Sequence, residues 1–327
     1  MILGLVGSEM CIRDRCLSLC QDVQGETFDY PEEFFKERIH NIRRPKPDDF
    51  QIKQAMEKIK KSKKPIIISG GGVFYSDAMD ELGSFAIKHN IPVTQTVMGY
   101  STMKRDHSHF LGPIGGLGGR AANNLAKETD LAICVGTKLA DFTTGSWANF
   151  ENPEFKLVSI NIARHDANKH LAEAVIGDAK VCLSELSNSL GNWKSPDSWH
   201  KKSQDELKSW NEYVDKESGP TNQETPNYAH AVGAIYRNSD PTDIAVTAAG
   251  GLVGEVVQVW RPKELNTHET EWGFSCMSYE ISGALGIKMA NPDKDVIAFV
   301  GDGSYLLNNS DIYLSLIHIS EPTRPSI

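Results

Sequence analysis

The sequence predicts an α/β protein in which two parallel-sheet domains follow one another. Three observations predict this. Short, unbroken apolar runs such as PIIIS (residues 65–69) and LAICV (residues 131–135) have the length of buried strands. Segments with helical spacing separate these runs, as crossover connections in a parallel sheet require. Several runs close directly on glycine, where a strand hands over to a loop.

The elements follow in order. Residues 16–26 form an apolar-to-polar passage, read as the last strand of a preceding domain, and residues 16–47 together as the end of that domain and a linker. FDYPEEFF (residues 28–35) is aromatic and is expected to pack on a neighbouring surface. RRPKPDD (residues 43–49) is a charged linker, because its prolines disfavour helix for themselves and their predecessors. A helix over 50–61, a strand over 65–69, a helix over 78–89 and a strand over 91–96 come next. They are followed by a helix over 120–127, strands over 131–135 and 156–162, and a helix over 181–190. Together these make a central domain over residues 48–192. Residues 193–221 are polar and read as a connector with a helical stretch near 204–214. The second domain, residues 222–313, offers a helix over 228–236, a strand over 244–247, a helix over 279–288 and a strand over 296–300.

The two ends are set apart. LVGSEMCIRDR (residues 5–15) and LSLIHISEPTR (residues 314–324) can be encoded by one DNA sequence and its reverse complement in another frame, and that DNA resembles a sequencing-library adapter. Residues 1–15 and 314–327 are therefore excluded from the fold, and the authentic segment is expected to be truncated at both of its ends.

Composition narrows the function classes. At 327 residues, 40% hydrophobic and 24% charged, the chain is long enough and apolar enough for a substantial core. A net charge of −9 opposes nucleic-acid binding, and the basic stretch over 43–64 reads as linker plus the solvated face of a helix. The six cysteines form no CxxC pair and no metal spacing, and Cys134 and Cys182 sit in apolar runs as small buried hydrophobes. That usage suits a reducing, cytoplasmic compartment. No run reaches the ~20 apolar residues of a membrane span, and no signal-peptide pattern opens the chain.

The chemistry-bearing motif is VIAFVGDGSYLLNNSDIY (residues 296–313). A buried strand delivers Asp302 at its carboxyl end between Gly301 and Gly303, with Ser304 following. Open α/β sheets bind ligands at such strand ends. A carboxylate is a hard ligand suited to magnesium, and glycines let backbone approach a diphosphate. Taken singly, GDGS also fits an ordinary strand-to-helix turn. AAGGLVGE (residues 248–255) forms a second glycine-rich turn after a strand. HETEWGFSCMSYEISGALG (residues 268–286) carries Met277 just before a helix of small residues, where a methionine alone would read as core.

Together these segments resemble the diphosphate-binding domain of thiamine-diphosphate-dependent enzymes. The resemblance implies that Asp302 binds the magnesium ion that holds the cofactor's diphosphate, framed by Gly301, Gly303 and Ser304. It implies that Met277 wedges beneath the cofactor and bends it. The backbone at Ser275 and Cys276 would face the aminopyrimidine, and the turn Gly250-Gly251-Leu252 would touch the diphosphate. The preceding domain would be the Rossmann-like central domain of the same family.

QDVQGETFDYPEEFF (residues 21–35), SGGGVFYSDA (69–78), VGTKLADFTTGS (135–146) and GFSCMSYE (273–280) sharpen the resemblance. They are similar to the branch that hydrolyses a carbon–carbon bond of a cyclic trihydroxy-1,2-dione in myo-inositol breakdown, giving 5-deoxy-glucuronate. Acetolactate synthase-like carboligases are the alternative within the family. The implied partners are a small polyol-derived dione and further copies of the same chain, with active sites between subunits. Two departures matter. The family's second, asparagine-bearing metal element lies further along than Asn308 and Asn309. Its activating glutamate lies in the amino-terminal pyrimidine-binding domain. The 327-residue chain alone is therefore expected to be inactive.

Other readings compete. A nicotinamide or flavin enzyme could use the glycines at 70–72 or GGLGG at 115–119, but neither gives the dinucleotide spacing, so structural turns are favoured. A non-catalytic fragment acting only as a subunit-interaction module is a second alternative. The polar cluster Arg164, His165 and Asp166 reads as a structural turn. Asp141 and its neighbours read as an approach to substrate or as a helix N-cap.

Overall fold

The computed structural model describes residue 18 and residues 20–313. Both adapter-like ends, residues 1–15 and 314–327, lie outside the described residues. The chain divides into two units, residues 1–45 and residues 46–327.

In the first unit the expected strand over 16–26 is replaced, among the described residues, by the helical turn α1 (Gln21–Gln24). The sequence QDVQ has no apolar alternation to favour a strand, and the Asp22 carboxylate accepts from the Val23 amide at 3.0 Å. The FDYPEEFF rings pack on one another rather than disappearing under a covering surface. Tyr30 lies 5.4 Å from Phe28 and 4.9 Å from Phe34, and all three rings remain more than half exposed.

The second unit holds two sheets. β1 (Pro65–Ser69), β2 (Val93–Gln95), β3 (Phe110–Pro113), β4 (Leu131–Val135), β5 (Lys156–Asn161) and β6 (Glu173–Ile176) form a parallel sheet in the order β3-β2-β1-β4-β5-β6. The order reverses between β1 and β4. Right-handed crossovers therefore place α3 (Gly72–Tyr75) and α4 (Met79–His89), which join β1 to β2, on the face opposite α5 (Arg120–Glu128), α6 (Asp141–Thr144) and α7 (Arg164–Ala167). Helix α8 (Ala179–Leu190), after β6, returns to the α4 side, where Lys88 donates to Ser187 Oγ at 3.1 Å. β1 is buried at every position, and Ile66, Ile67 and Ile68 are fully covered, each contributing about 2 kcal/mol of apolar burial. Helix α2 (Asp49–Lys61) starts where Asp48 accepts from the Phe50 amide at 2.8 Å, and its buried stripe is Ile52, Ala55 and Ile59. Its lysines 53, 60 and 61 face solvent, as the basic-stretch reading required.

The switch point between β1 and β4 is where a dinucleotide would sit, and backbone fills it. A Cβ on Gly70 would lie 2.5 Å from the Gly136 carbonyl oxygen, and one on Gly72 would lie 2.6 Å from the Gly136 Cα. Gly115, at φ +104, is packed just as tightly against the Phe142 carbonyl. Both glycine runs are structural turns.

The polar connector is a docked helix. α9 runs over Asp197–Glu217, much longer than the expected 204–214, and buries Trp199, Leu207, Trp210 and Val214. Trp199 donates to the Pro65 carbonyl at 2.8 Å. α10 (Tyr228–Asn238) follows, capped by Asn227. The second sheet is parallel, in the order β8-β7-β9: β7 (Ile244–Thr247), β8 (His268–Thr270) and β9 (Val296–Ala298), with α11 (Gly251–Val259) and α12 (Tyr279–Ala290) as crossovers and α13 (Asp302–Asn308) last.

Candidate active site

All three strands of the second sheet point the same way, so their carboxyl ends deliver three loops to one edge. β7 runs into Ala248-Ala249-Gly250-Gly251, β8 into residues 271–278, and β9 into Phe299-Val300-Gly301-Asp302. This edge is the ligand-binding side of an open parallel sheet.

The first loop turns sharply. Gly250 has φ +79 and ψ −168, a conformation reserved in practice for glycine, and α11 starts at the next residue. Among the described residues, a Cβ on Gly250, Gly251 or Gly301 would meet nothing within 4 Å, so they leave the space over these turns open. The opening amides of α11, Gly251 and Leu252 among them, lack intrahelical acceptors and can serve an anion.

The third loop presents Asp302 as the first residue of α13, with its carboxylate exposed and Oδ1 accepting from the Gly303 amide at 2.8 Å. Ser304, the last of the framing residues, is buried. Among the described residues no group of three or more acidic, histidine or cysteine side chains could hold a metal by itself. A single carboxylate does fit a magnesium ion that arrives with phosphate oxygens and water.

The middle loop is held by Glu271, whose carboxylate accepts from the Phe274 amide at 3.1 Å and the Cys276 amide at 2.7 Å. Ser275 and Ser278 both take positive φ, +51 and +78. Met277 is half exposed and reaches the third loop: a Cβ on Gly303 would lie 3.2 Å from the Met277 Cε. The methionine is therefore not core, and its end rests over the glycine that follows Asp302.

Of the residues singled out in the sequence, Met277, Gly303, Asp302 and Ser304 come together directly. Gly250, Gly251 and Leu252 stand on the neighbouring loop, and Ser275 and Cys276 on the loop that carries Met277. Asn308 donates to Ser282 Oγ at 3.3 Å and to Asp311 at 2.6 Å, a bracing role consistent with its exclusion as a metal element. Asp166 pairs with Lys169 at 2.5 Å within a turn. Asp141 is not an N-cap, a position that falls to Ala140; it accepts from Ser146 Oγ at 2.9 Å. The adjacent Phe142 meets Trp272 edge-on at 5.1 Å.

Three contributors escaped sequence reasoning: Glu271, Ser278 and Glu280. Ser278 donates to the Ser304 carbonyl at 2.7 Å, and Glu280 accepts from the Ala249 amide at 3.2 Å. An acidic residue in a first helical turn is ordinary, so no local signal distinguishes Glu280.

Comparison with known proteins finds two family domains in the chain. Residues 52–186 match the thiamine pyrophosphate enzyme central domain, and residues 248–315 match the C-terminal TPP binding domain of thiamine pyrophosphate enzymes. The chain is 38% identical over 324 residues to a 3D-(3,5/4)-trihydroxycyclohexane-1,2-dione hydrolase of Clostridium perfringens (strain 13 / Type A), an alignment covering 92% of this chain and 51% of the relative. Proteins of the same name from Geobacillus thermodenitrificans (strain NG80-2) and Bacillus anthracis (strain CDC 684 / NRRL 3495) are 37% and 39% identical, each over 92% of this chain and 50% of the relative. The chain thus spans about half the length of these relatives.

Proposed function

The chain belongs to the thiamine pyrophosphate enzymes, and on that premise we propose that its protein opens 3D-(3,5/4)-trihydroxycyclohexane-1,2-dione hydrolytically to 5-deoxy-glucuronate, using thiamine diphosphate and Mg2+. The observation that carries the cofactor reading is the convergence of the Gly250 turn, Met277 and Asp302 on one sheet edge. The relatives' shared name supports the choice of substrate.

In this reading the amides of Gly251 and Leu252 receive the diphosphate, and Gly250 supplies the turn that aims them. Asp302 would hold Mg2+, framed by Gly301 and Gly303, with buried Ser304 fixing the loop behind it. Met277 would support the bound cofactor, and the backbone at Ser275 and Cys276 would contact its aminopyrimidine part. When bound, thiamine diphosphate supplies the carbon nucleophile and electron sink needed to cleave the bond beside a ketone. The chain's own residues bind, orient and shield. The enzyme is proposed to work in the cytoplasm as a homo-oligomer with active sites between subunits. The two fully covered thiols, Cys134 and Cys182, suit a reducing compartment, and no helix among the described residues is long and apolar enough to cross a membrane.

The test is turnover. With cofactor and Mg2+ the full-length enzyme should convert the dione to a ring-opened acid one water heavier, and omission of either should abolish conversion. The 327-residue polypeptide alone should give no conversion above the no-enzyme control. A loaded full-length enzyme that ignores the dione but condenses pyruvate would overturn the substrate assignment in favour of a carboligase.

A further inference from the structure

The segment Met277-Ser278-Tyr279-Glu280 touches both other loops of the site, and its last member makes an arrangement that stability alone does not explain. Glu280 is the second residue of α12 and is fully buried. Its Oε1 accepts from the Ala249 amide at 3.2 Å, while Oε2 is buried with no hydrogen-bond partner among the described residues. A half-satisfied buried carboxyl group is costly. The one bond it makes lands on the residue before Gly250, where the chain takes φ +79 and passes into the open glycine turn. Two residues earlier, Ser278 holds a left-handed backbone at φ +78, itself costly for a residue with a side chain, and donates to Ser304 in the Asp302 loop at 2.7 Å. The start of α12 therefore accepts an unfavourable carboxyl and an unfavourable dihedral, and each accompanies a bond to a different loop of the site.

Resting on the reading of this edge as a thiamine diphosphate site, we propose that Glu280 is the positioning residue of the diphosphate turn. Its hold on the Ala249 amide fixes the backbone from Gly250 to Leu252 in the conformation that presents amides to the diphosphate. Two consecutive glycines with nothing above them are conformationally free. Without the anchor, the cost of ordering that turn moves into the binding step and weakens affinity.

The experiment titrates the cofactor-free full-length protein with thiamine diphosphate, and separately with inorganic pyrophosphate, in saturating Mg2+, using calorimetry. Glu280→Ala should raise both dissociation constants on the order of tenfold, the effect of one lost hydrogen bond. Glu280→Gln keeps an oxygen for the Ala249 amide and should stay within about threefold of wild type for both ligands. Unchanged binding in Glu280→Ala overturns the proposal. So does a Glu280→Gln variant as weak as Glu280→Ala, or a loss seen for thiamine diphosphate and not for pyrophosphate. If Glu280→Ala does not fold, Glu280→Asp replaces it: one methylene shorter, it loses its reach to Ala249, and the same outcomes decide. Wild type that binds neither ligand overturns the site reading and this inference together. Wild type that binds, with Asp302→Ala impaired and Glu280→Ala not, overturns this inference alone.

Discussion

At Gly303 a single missing methyl group decides where Met277 can lie. An alanine there would place its Cβ 3.2 Å from the Met277 Cε, the flexible end of a side chain. The methionine can yield, so the fold should tolerate Gly303→Ala within about 1 kcal/mol, helped by alanine's better helix propensity. The cofactor should notice more. A displaced Met277 no longer rests over the third loop, and thiamine diphosphate affinity should fall severalfold while the melting temperature hardly moves. Equal affinity in Gly303→Ala and wild type would remove Met277 from the site. The same scale shows what a sequence conceals. Asp302 and Met277 stand in legible motifs, whereas Glu280 and Ser278 matter through burial and a positive φ, which no neighbouring residue announces.

Among the elements, β1 and β4 meet through glycine. Gly136 has φ +61, and a Cβ there would lie 2.6 Å from the Gly72 Cα, backbone against backbone. Nothing flexible can give way, so Gly136→Ala should destabilise the protein by about 3 kcal/mol or more, from strain and overpacking together. The urea midpoint measures this, and a shift equivalent to under about 1 kcal/mol would mean the junction is looser than described. Legibility at this scale followed burial. β1, β4 and β7 were readable because all their positions are buried and, apart from Ser69 and Thr247 at the strand ends, apolar. β3 (FLGP), β6 (EAVI) and β8 (HET) are short, and glycine, proline or charge interrupts their pattern; pairing with neighbours makes them strands. α11 was hidden because it starts inside a glycine pair, which read as turn alone. α9 outran its expected span because a polar surface masks a stripe anchored by Trp199 and Trp210.

Over the whole molecule, buried imidazoles make stability fall on the acid side. Burial holds His268 down to about 4, and burial, with His200 and His107 nearby, does the same for His109. Unfolded imidazole titrates at about 6.5. Between these values the unfolded chain binds more protons than the folded one, so stability falls as pH drops from about 6.5 towards 4 and is insensitive to these groups above 6.5. His89, His107 and His200, also lowered chiefly by burial, act in the same direction. A urea midpoint that stays flat from about pH 7 to 5 would contradict this. The larger claim is that the carboxyl edge of the second sheet is a cofactor site gripped through one carboxylate. The most direct measurement is Mg2+-dependent thiamine diphosphate binding to the full-length protein and its Asp302→Ala variant. The account predicts an unchanged apo fold and an affinity lower by about a hundredfold, some 3 kcal/mol. Binding of vitamin and metal as tight in the variant as in wild type would contradict it.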